Sequence, residues 1–166
     1  MTSQEQLFYQ HEGDAWYRRN QSALADVEGA GDWPLALLEQ WDGARAADCI
    51  VELGCANGYR LEALRRRGIG RRHIGVDVSA AALAAGSQAY PDLDLVRAPI
   101  SNIPLAVAAD VVIVNYVLHW VDRARLARVV SEVDRLVADG GVLVIGDFLP
   151  DAPCPRPYHH LDEGMA

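Results

Sequence analysis

Five short apolar segments alternate along the chain with segments in which apolar residues recur at helical spacing. Each apolar segment is rich in β-branched residues and is bounded by turn residues, as buried strands are. Strands that alternate with helices form a parallel sheet through right-handed crossovers, with helices on both faces. The sequence therefore predicts a doubly wound α/β fold, with strands at residues 48–53, 73–78, 93–98, 109–116 and 142–148.

The intervening segments predict the helices from their capping residues and from their breakers. Asp32 and Pro34 suit the start of the first helix, Ser79 suits the N-cap of the third, and Gly140–Gly141 suits the end of the last. Residues 99–108 predict only a loop or a short helix. The predicted helices lie around residues 36–40 and at 57–68, 80–90 and 123–141.

The composition is that of one ordinary globular domain of 166 residues, 51% hydrophobic and 23% charged. The net charge of −8 argues against a nucleic-acid partner, because phosphate binding needs a cationic surface. No apolar run approaches the roughly 20 residues that span a membrane, and the N-terminus has neither the basic start nor the apolar stretch of a signal peptide. We expect a cytoplasmic domain with a helical lid region at 1–45, a ligand-binding core at 46–148 and a proline-rich tail at 149–166.

Cysteine and histidine are not spaced as metal ligands in this chain. The three cysteines show no disulfide or zinc pattern, so reduced thiols are the simplest interpretation. The pair His159–His160 lies among prolines without a third ligand. We therefore expect no metal site.

The stretch "VELGCANGYR", residues 51–60, joins the end of the first strand to the next helix. Gly54 allows the chain to turn off the strand, and Gly58 allows the helix to pack closely. Ala56 between them is small enough for a ligand to lie on the backbone. The loop lacks two glycines of the dinucleotide fingerprint G-x-G-x-x-G, which disfavours a nicotinamide cofactor.

Asp77 ends the second strand in "GVDVS". A carboxylate at this position accepts hydrogen bonds from the two hydroxyls of a ribose. Asp77 follows the loop by roughly 20 residues, the spacing that is typical of sites for adenosine ligands. The alternative is a turn or N-cap aspartate, although Ser79 already offers a cap. The sequence favours the ribose role.

Four motifs in order, "VELGCANG", "GVDVS", "ADVVIVNYVLHWVDR" and "GGVLVIGDF", resemble those of class I S-adenosylmethionine-dependent methyltransferases. The resemblance covers Cys49 to Phe148 and is closest to methyltransferases of small molecules and of polysaccharide pathways. It implies a mostly parallel five-stranded sheet in the order 3-2-1-4-5, here without the usual C-terminal antiparallel hairpin. It also implies S-adenosylmethionine as the cofactor and S-adenosylhomocysteine as the product.

The resemblance assigns a part of the cofactor to each strand end. Pro99 stands where the family often has an acid for the adenine amino group, so the backbone at Ala98 or Ile100, or the Ser101 side chain, would meet the adenine edge. Val78 would lie against the adenine, and Asn115 beside the amino acid moiety. The loop residues against the methionine part would be Glu52, Gly54, Cys55, Ala56, Asn57 and Gly58.

Candidates for a catalytic base follow the fourth and fifth strands. They are His119, Tyr116 and Asp147, together with the tail histidines. Methyl transfer needs a base where the nucleophile must lose a proton. The alternative for His119 is a structural link from the strand end to the next helix, and Tyr116 faces either the cofactor or the core.

The N-terminal helix around Tyr17 and Arg19 is the expected lid, since closure over an active site excludes water. Arg19 could pair with the methionine carboxylate in a bidentate bond, or it could be a solvated surface arginine.

The sequence thus favours a methyltransferase that acts on a small-molecule or sugar-derived acceptor. The alternatives are a truncated or degenerate fold that binds the cofactor without turnover, and a nicotinamide-binding oxidoreductase. An uncovered edge on the fifth strand would invite pairing with a second chain, so a homodimer is a further expectation.

Overall fold

The computed structural model describes residues 4–25, 31–149 and 151–152. Its centre is a single sheet of five parallel strands in the order β3-β2-β1-β4-β5, which confirms the predicted fold class. Among the described residues no antiparallel hairpin follows β5. The strands are β1 (Cys49–Leu53), β2 (Arg72–Asp77), β3 (Asp94–Arg97), β4 (Ala109–Asn115) and β5 (Val137–Gly146).

Helices connect these strands, except between β3 and β4 where residues 98–108 form the predicted loop, and lie on both faces of the sheet. The N-terminal segment continues from α1 through a π-helical turn at Phe8–Glu12 into α2, and two 3-10 turns, Leu118–Trp120 and Arg123–Arg125, follow β4. None of the helices in the described part of the chain is long and apolar enough to cross a membrane. The α-helices are α1 (Gln4–Leu7), α2 (Gly13–Ala25), α3 (Trp33–Gln40), α4 (Asp42–Arg45), α5 (Tyr59–Arg66), α6 (Ala80–Ala89) and α7 (Leu126–Leu136).

Two apolar clusters cover the two faces of the sheet. Strand β1 contributes to both, because alternate side chains such as Ile50 and Val51 point to opposite faces. On one face, Leu38 of α3 and Leu61 of α5 are buried against the sheet. On the other face, α7 buries Val129, Val133 and Leu136. The strands β1, β2 and β4 thus read as nearly continuous apolar runs because both of their faces are covered.

The capping predictions hold for two helices, and a third helix begins two residues later than predicted. The Asp32 side chain accepts a hydrogen bond from Leu35 N at 3.0 Å at the start of α3. The Ser79 hydroxyl accepts one from Ala82 N at 3.0 Å at the start of α6. Helix α5 begins at Tyr59 rather than at Asn57, because Gly58 takes the N-cap position with φ +80°.

The predicted helix over residues 123–141 is wrong at its C-terminal end. Helix α7 stops at Leu136, and β5 starts directly at Val137. Ala109 of β4 pairs with Val137, whereas Val111 pairs with Val142, so the strand carries an irregularity between these two pairs. Gly140 lies inside it with φ +76°, a conformation that glycine adopts without strain. The glycine pair therefore shapes a bulge in the strand instead of stopping the helix.

Candidate active site

The loop between β1 and α5 turns sharply, as its glycines predicted. Gly54 has φ +75°, and a Cβ atom there would lie 2.3 Å from the Val117 side chain. Ala56 also has a positive φ, +52°, which is uncommon for a residue other than glycine. The amides of Gly54 and Cys55 both donate to Val76 O of β2, at 2.8 and 3.2 Å. The loop is thus fixed against the end of the neighbouring strand.

Asp77 holds this loop from the end of β2. Its Oδ2 accepts a hydrogen bond from Ala56 N at 2.8 Å, and its Oδ1 accepts one from Ser79 N at 2.8 Å. Burial raises the pKa of the carboxyl from 3.8 to about 6, against the lowering effect of these backbone amides. Each carboxylate oxygen retains a lone pair for a further donor.

A cavity of about 290 Å³ lies above the carboxyl ends of β1, β2 and β4, the edge at which ligands bind in open α/β sheets. The size is close to the lower end of the roughly 300–1,000 Å³ that ligand pockets occupy. It is lined by the loop after β1, by Asp77 and Val78, by Ala98 to Ile100, by Asn115 to Val117, and by residues of the N-terminal segment.

Several predicted binding residues meet at this cavity, and others do not line it. Gly54, Ala56, Asp77, Val78, Ala98, Ile100, Asn115, Tyr116 and Tyr17 are in the lining. Glu52 and Cys55 are buried beside it, where burial raises the pKa of the Cys55 thiol. Asn57 and Gly58 form the turn into α5, and Gly58 gives the close packing that was predicted, with a Cβ atom there 2.8 Å from Leu93.

The N-terminal segment lies over the cavity. Phe8, Trp16 and Tyr17 line it, and the Asp14 side chain ties α2 to the start of α6. Asp14 Oδ1 accepts from the Ser79 hydroxyl at 2.7 Å and from Ala81 N at 3.0 Å. These hydrogen bonds lower the pKa of Asp14. The N-terminal segment is thus attached at Ser79, two residues after Asp77 in the chain.

Arg19 does not reach the cavity in this structure. Its guanidinium donates to Glu12 of the same segment, and its side chain is 54% exposed. Ser101 is occupied too, because its hydroxyl donates to the Glu5 carboxylate. Ala98, Ile100 and Val78, the other residues predicted to meet the adenine, line the cavity.

Arg60 lines the cavity, and sequence reasoning missed it. Its guanidinium pairs with two buried acids, donating to Glu52 and, at 2.8 to 2.9 Å, to both oxygens of Asp32. Burial raises the pKa of Glu52 to about 7, although Arg60 acts in the opposite direction. The signal in the sequence was Glu52 itself, because an acid inside a buried strand requires a cationic partner.

His119 and Asp147 form a pair at the ends of β4 and β5. Asp147 Oδ1 accepts from His119 Nδ1 at 2.8 Å, and Asp147 Oδ2 accepts from His119 N at 3.2 Å. His119 therefore links the two strand ends, and Tyr116 lines the cavity in a left-handed conformation with φ +55°. Its amide donates to Gly146 O at 2.7 Å. Such strained residues are frequent at functional sites.

No cluster of three metal-ligating side chains occurs within residues 4–25, 31–149 and 151–152. Cys49 and Cys55 are free thiols. Cys154 and the predicted pair His159–His160 lie outside the described residues.

The chemistry of the cavity fits an adenosine cofactor with a charged amino acid end. Asp77 offers two carboxylate oxygens at the strand end, and Val78, Ala98 and Ile100 offer an apolar slot for a flat ring. Beside the cavity, next to the lining residue Arg60, Glu52 Oε2 is buried without a hydrogen-bond partner among the described residues. A ligand ammonium that reaches this oxygen would satisfy it, since a buried polar atom without a hydrogen bond is costly.

Comparison with known proteins agrees with this fit. Residues 51–145 match the family model described as a methyltransferase domain. The trans-aconitate 2-methyltransferase of Acidovorax ebreus (strain TPSY) is 31% identical over 149 residues, covering 81% of this chain and 56% of that protein. The one of Acidovorax sp. (strain JS42) is 35% identical over 117 residues, 70% of this chain and 43% of that protein. The chain spans about half the length of the curated relatives it matches.

Solved structures share the fold at lower identity. The amino pentose methyltransferase CalS10 of Micromonospora echinaspora, solved with S-adenosylmethionine bound, superposes with a TM-score of 0.68 at 21% identity, over 83% of this chain and 59% of that one. The sugar N-methyltransferase KedS8 of Streptoalloteichus sp. ATCC 53650 gives a TM-score of 0.63 at 23% identity, over 84% of this chain and 54% of that one. The family match overturns the alternative of a nicotinamide-binding oxidoreductase. The chain belongs to the S-adenosylmethionine-dependent methyltransferase family.

Proposed function

We propose that the chain binds S-adenosylmethionine in the 290 Å³ cavity and transfers its methyl group to a small-molecule acceptor. One observation carries the proposal. The Asp77 carboxylate is fixed by the amides of Ala56 and Ser79, each at 2.8 Å, and lies on the same cavity as the turn at Gly54. A ribose hydroxyl pair and a methionine chain are received at those two places.

When bound, the cofactor supplies an activated methyl group on a sulfonium. The residues of this chain align the reactants and exclude water. Alignment lowers the activation barrier by a large share. The amino acid end of the cofactor would lie near Arg60 and Glu52, and Asn115 would stand beside it. The aromatic residues Phe8, Trp16 and Tyr17 of the N-terminal segment would cover the adenosine.

We propose His119, which is not itself in the described lining but packs against the lining residue Trp120, as the base for an acceptor that must lose a proton. Because Asp147 accepts from Nδ1, the basic lone pair of the imidazole is at Nε2. Asp147 would act as a positioning residue that fixes this tautomer. Tyr116, on the cavity wall, would orient the acceptor.

Calorimetric titration tests the cofactor assignment. We expect S-adenosylmethionine and S-adenosylhomocysteine to bind with one site per chain and NAD⁺ not to bind, because the loop lacks the glycines that receive a pyrophosphate. Binding of NAD⁺ alone would contradict the proposal. Incubation with S-adenosylmethionine and an acceptor library, followed by mass spectrometry, separates turnover from binding without turnover.

Self-association through β5 is proposed as well. Among the described residues β5 pairs only with β4, and Ile145 is 50% exposed beside Leu143 and the α7 residue Val130. These side chains line an apolar groove of about 270 Å³. An uncovered strand edge next to exposed apolar side chains is a template for pairing with another chain.

Ile145→Lys is expected to shift the chain from dimer to monomer in sedimentation velocity at micromolar concentration, because an ammonium in the apolar groove is costly to bury. Gln88→Lys, on the exposed part of α6, adds the same charge away from β5 and should leave the dimer intact. A wild-type chain that is monomeric at 100 µM would overturn this proposal.

A further inference from the structure

We propose that the methyl acceptor is an amine, recognised by a mouth of aromatic rings and carboxylates on the cavity. This inference rests on the proposed function and names the substrate class of the same site. The aromatic mouth consists of Phe8, Tyr116 and Trp120, which line the cavity, with His119 and Phe148 packed against them.

The five rings form an unbroken series. The centroid distances are 5.1 Å from Phe8 to Trp120, 4.9 Å from Trp120 to His119, 5.0 Å from His119 to Phe148 and 5.1 Å from Phe148 to Tyr116. Contacts of this kind fix the rings relative to one another. Fixed aromatic rings attract alkylated ammonium groups, because the ring face carries partial negative charge.

The formal charges on the cavity wall have the sign that an ammonium requires. Among the described residues, three acids, Glu5, Asp77 and Asp122, line the cavity, against one cation, Arg60. Asp77 is already assigned to the ribose. Arg60 is engaged with Glu52 and Asp32, and Glu5 has its own partner in Arg125 at 3.5 Å. Asp122 accepts from Ala124 N at 3.0 Å and has no ion-pair partner among the described residues.

The same wall is unsuited to a carboxylate acceptor. Among the described residues that line the cavity, no cation is available to an acceptor carboxylate, because the one guanidinium is bound to two acids. An anion placed between aromatic rings and carboxylates would lose its hydration without compensation. The cavity therefore differs from what a tricarboxylate would need, although trans-aconitate methyltransferases are among the sequence relatives.

An amine also gives the His119–Asp147 pair a role. His119 packs against Trp120, which lines the cavity, and is partly exposed, so the acceptor ammonium loses its proton through water to His119 Nε2 and from there to solvent. The nitrogen lone pair then forms the bond to the methyl carbon, while the electron pair of the broken carbon–sulfur bond remains on sulfur. The positive charge passes from sulfur to nitrogen, so charge and atoms balance.

The test is calorimetry on the chain saturated with S-adenosylhomocysteine, using three probes. Choline carries a trimethylammonium group, 3,3-dimethyl-1-butanol is its uncharged isostere, and trans-aconitate is a tricarboxylate. We expect choline to bind about tenfold more tightly than the isostere, which corresponds to about 1.4 kcal/mol. trans-Aconitate should bind more weakly than either.

A matched pair of variants isolates the charge. Asp122→Asn keeps an oxygen for Ala124 N but removes the carboxylate, and it should reduce the preference for choline about threefold with no change for the isostere. Asp134→Asn, at an exposed position of α7, should change neither. Equal affinity for choline and the isostere, no binding of choline, or tighter binding of trans-aconitate overturns the amine inference and leaves cofactor binding standing. Failure of S-adenosylhomocysteine to bind would instead overturn the proposed function, and this inference with it.

Discussion

Asp77→Ala is expected to weaken the binding of S-adenosylmethionine by about 100-fold or more. The substitution removes the proposed acceptor of two ribose hydroxyls, and hydrogen bonds to a charged group contribute roughly 1.5–3 kcal/mol each. It also removes the acceptor of the amides of Ala56 and Ser79, so the loop after β1 loses its attachment. Isothermal titration calorimetry at pH 7.5 measures the change.

The control for this variant is Asp94→Ala on the adjacent strand β3. Asp94 is exposed and pairs with Arg72 at 2.9 Å, and it does not line the cavity. Its loss should leave the affinity within about twofold of the wild type. An Asp77→Ala chain that folds, by circular dichroism, and still binds with wild-type affinity would remove Asp77 from the site.

The pKa of Asp77, raised by burial to about 6, gives the same interaction a pH dependence. Protonation removes the charge that accepts from the ribose, so affinity should fall as the pH drops from 7 to 5. The effect of Asp77 on the stability of the free chain has the opposite sign. A buried acid with a raised pKa costs stability above about pH 6, and this cost disappears as the pH falls toward its unfolded value of 3.8. Loss of affinity without loss of stability would identify Asp77 as the group that titrates.

Arg60→Met is expected to lower the free energy of unfolding by about 3–5 kcal/mol, the cost of leaving a buried charge without its partner. Arg60 is 4% exposed and Glu52 is 1% exposed, so solvent would not compensate either acid. For a domain of this size the loss corresponds to a decrease in Tm of roughly 6–20 °C. Differential scanning fluorimetry and urea titration at pH 8 provide the measurement.

Two further variants make the test specific to the buried ion pairs. Arg71→Met removes an arginine from the exposed pair with Asp48, where little stability is expected to be lost. Adding Glu52→Gln to Arg60→Met should restore part of the lost stability, because one of the two unpaired charges is gone. If Arg60→Met and Arg71→Met melt at the same temperature, the buried pairs do not stabilise the fold as argued.

The sheet could be predicted from the sequence because its central strands β1, β2 and β4 are buried on both faces. Apolar runs between helical segments indicate a parallel sheet whatever the side-chain detail, and all five strands lie where the runs are. The boundary between α7 and β5 could not be predicted. Leu136 and Val137 continue the helical spacing, and only the pairing of Val137 with Ala109 shows that the strand has already begun.

The residues that line the cavity could be predicted where backbone geometry places them there, and were missed where distant side chains do. Gly54 and Asp77 act through the turn and the strand end, which the sequence specifies locally. Arg60 lies in the first turn of α5, where an arginine looks like a residue of a surface helix, and its partner Asp32 is 28 residues away. Arg19 resembled a cofactor ligand, but its nearest acid, Glu12, is in the same segment.

The attachment of α2 to α6 has a consequence for how the cavity opens. Ala81 N is one of the amides at the start of a helix that have no partner within the helix, and Asp14 accepts from it. Lifting of the N-terminal segment would expose that amide to solvent, where its hydrogen exchanges. The exchange rate of the Ala81 amide in the absence of ligand would therefore report the equilibrium between the attached and the lifted segment.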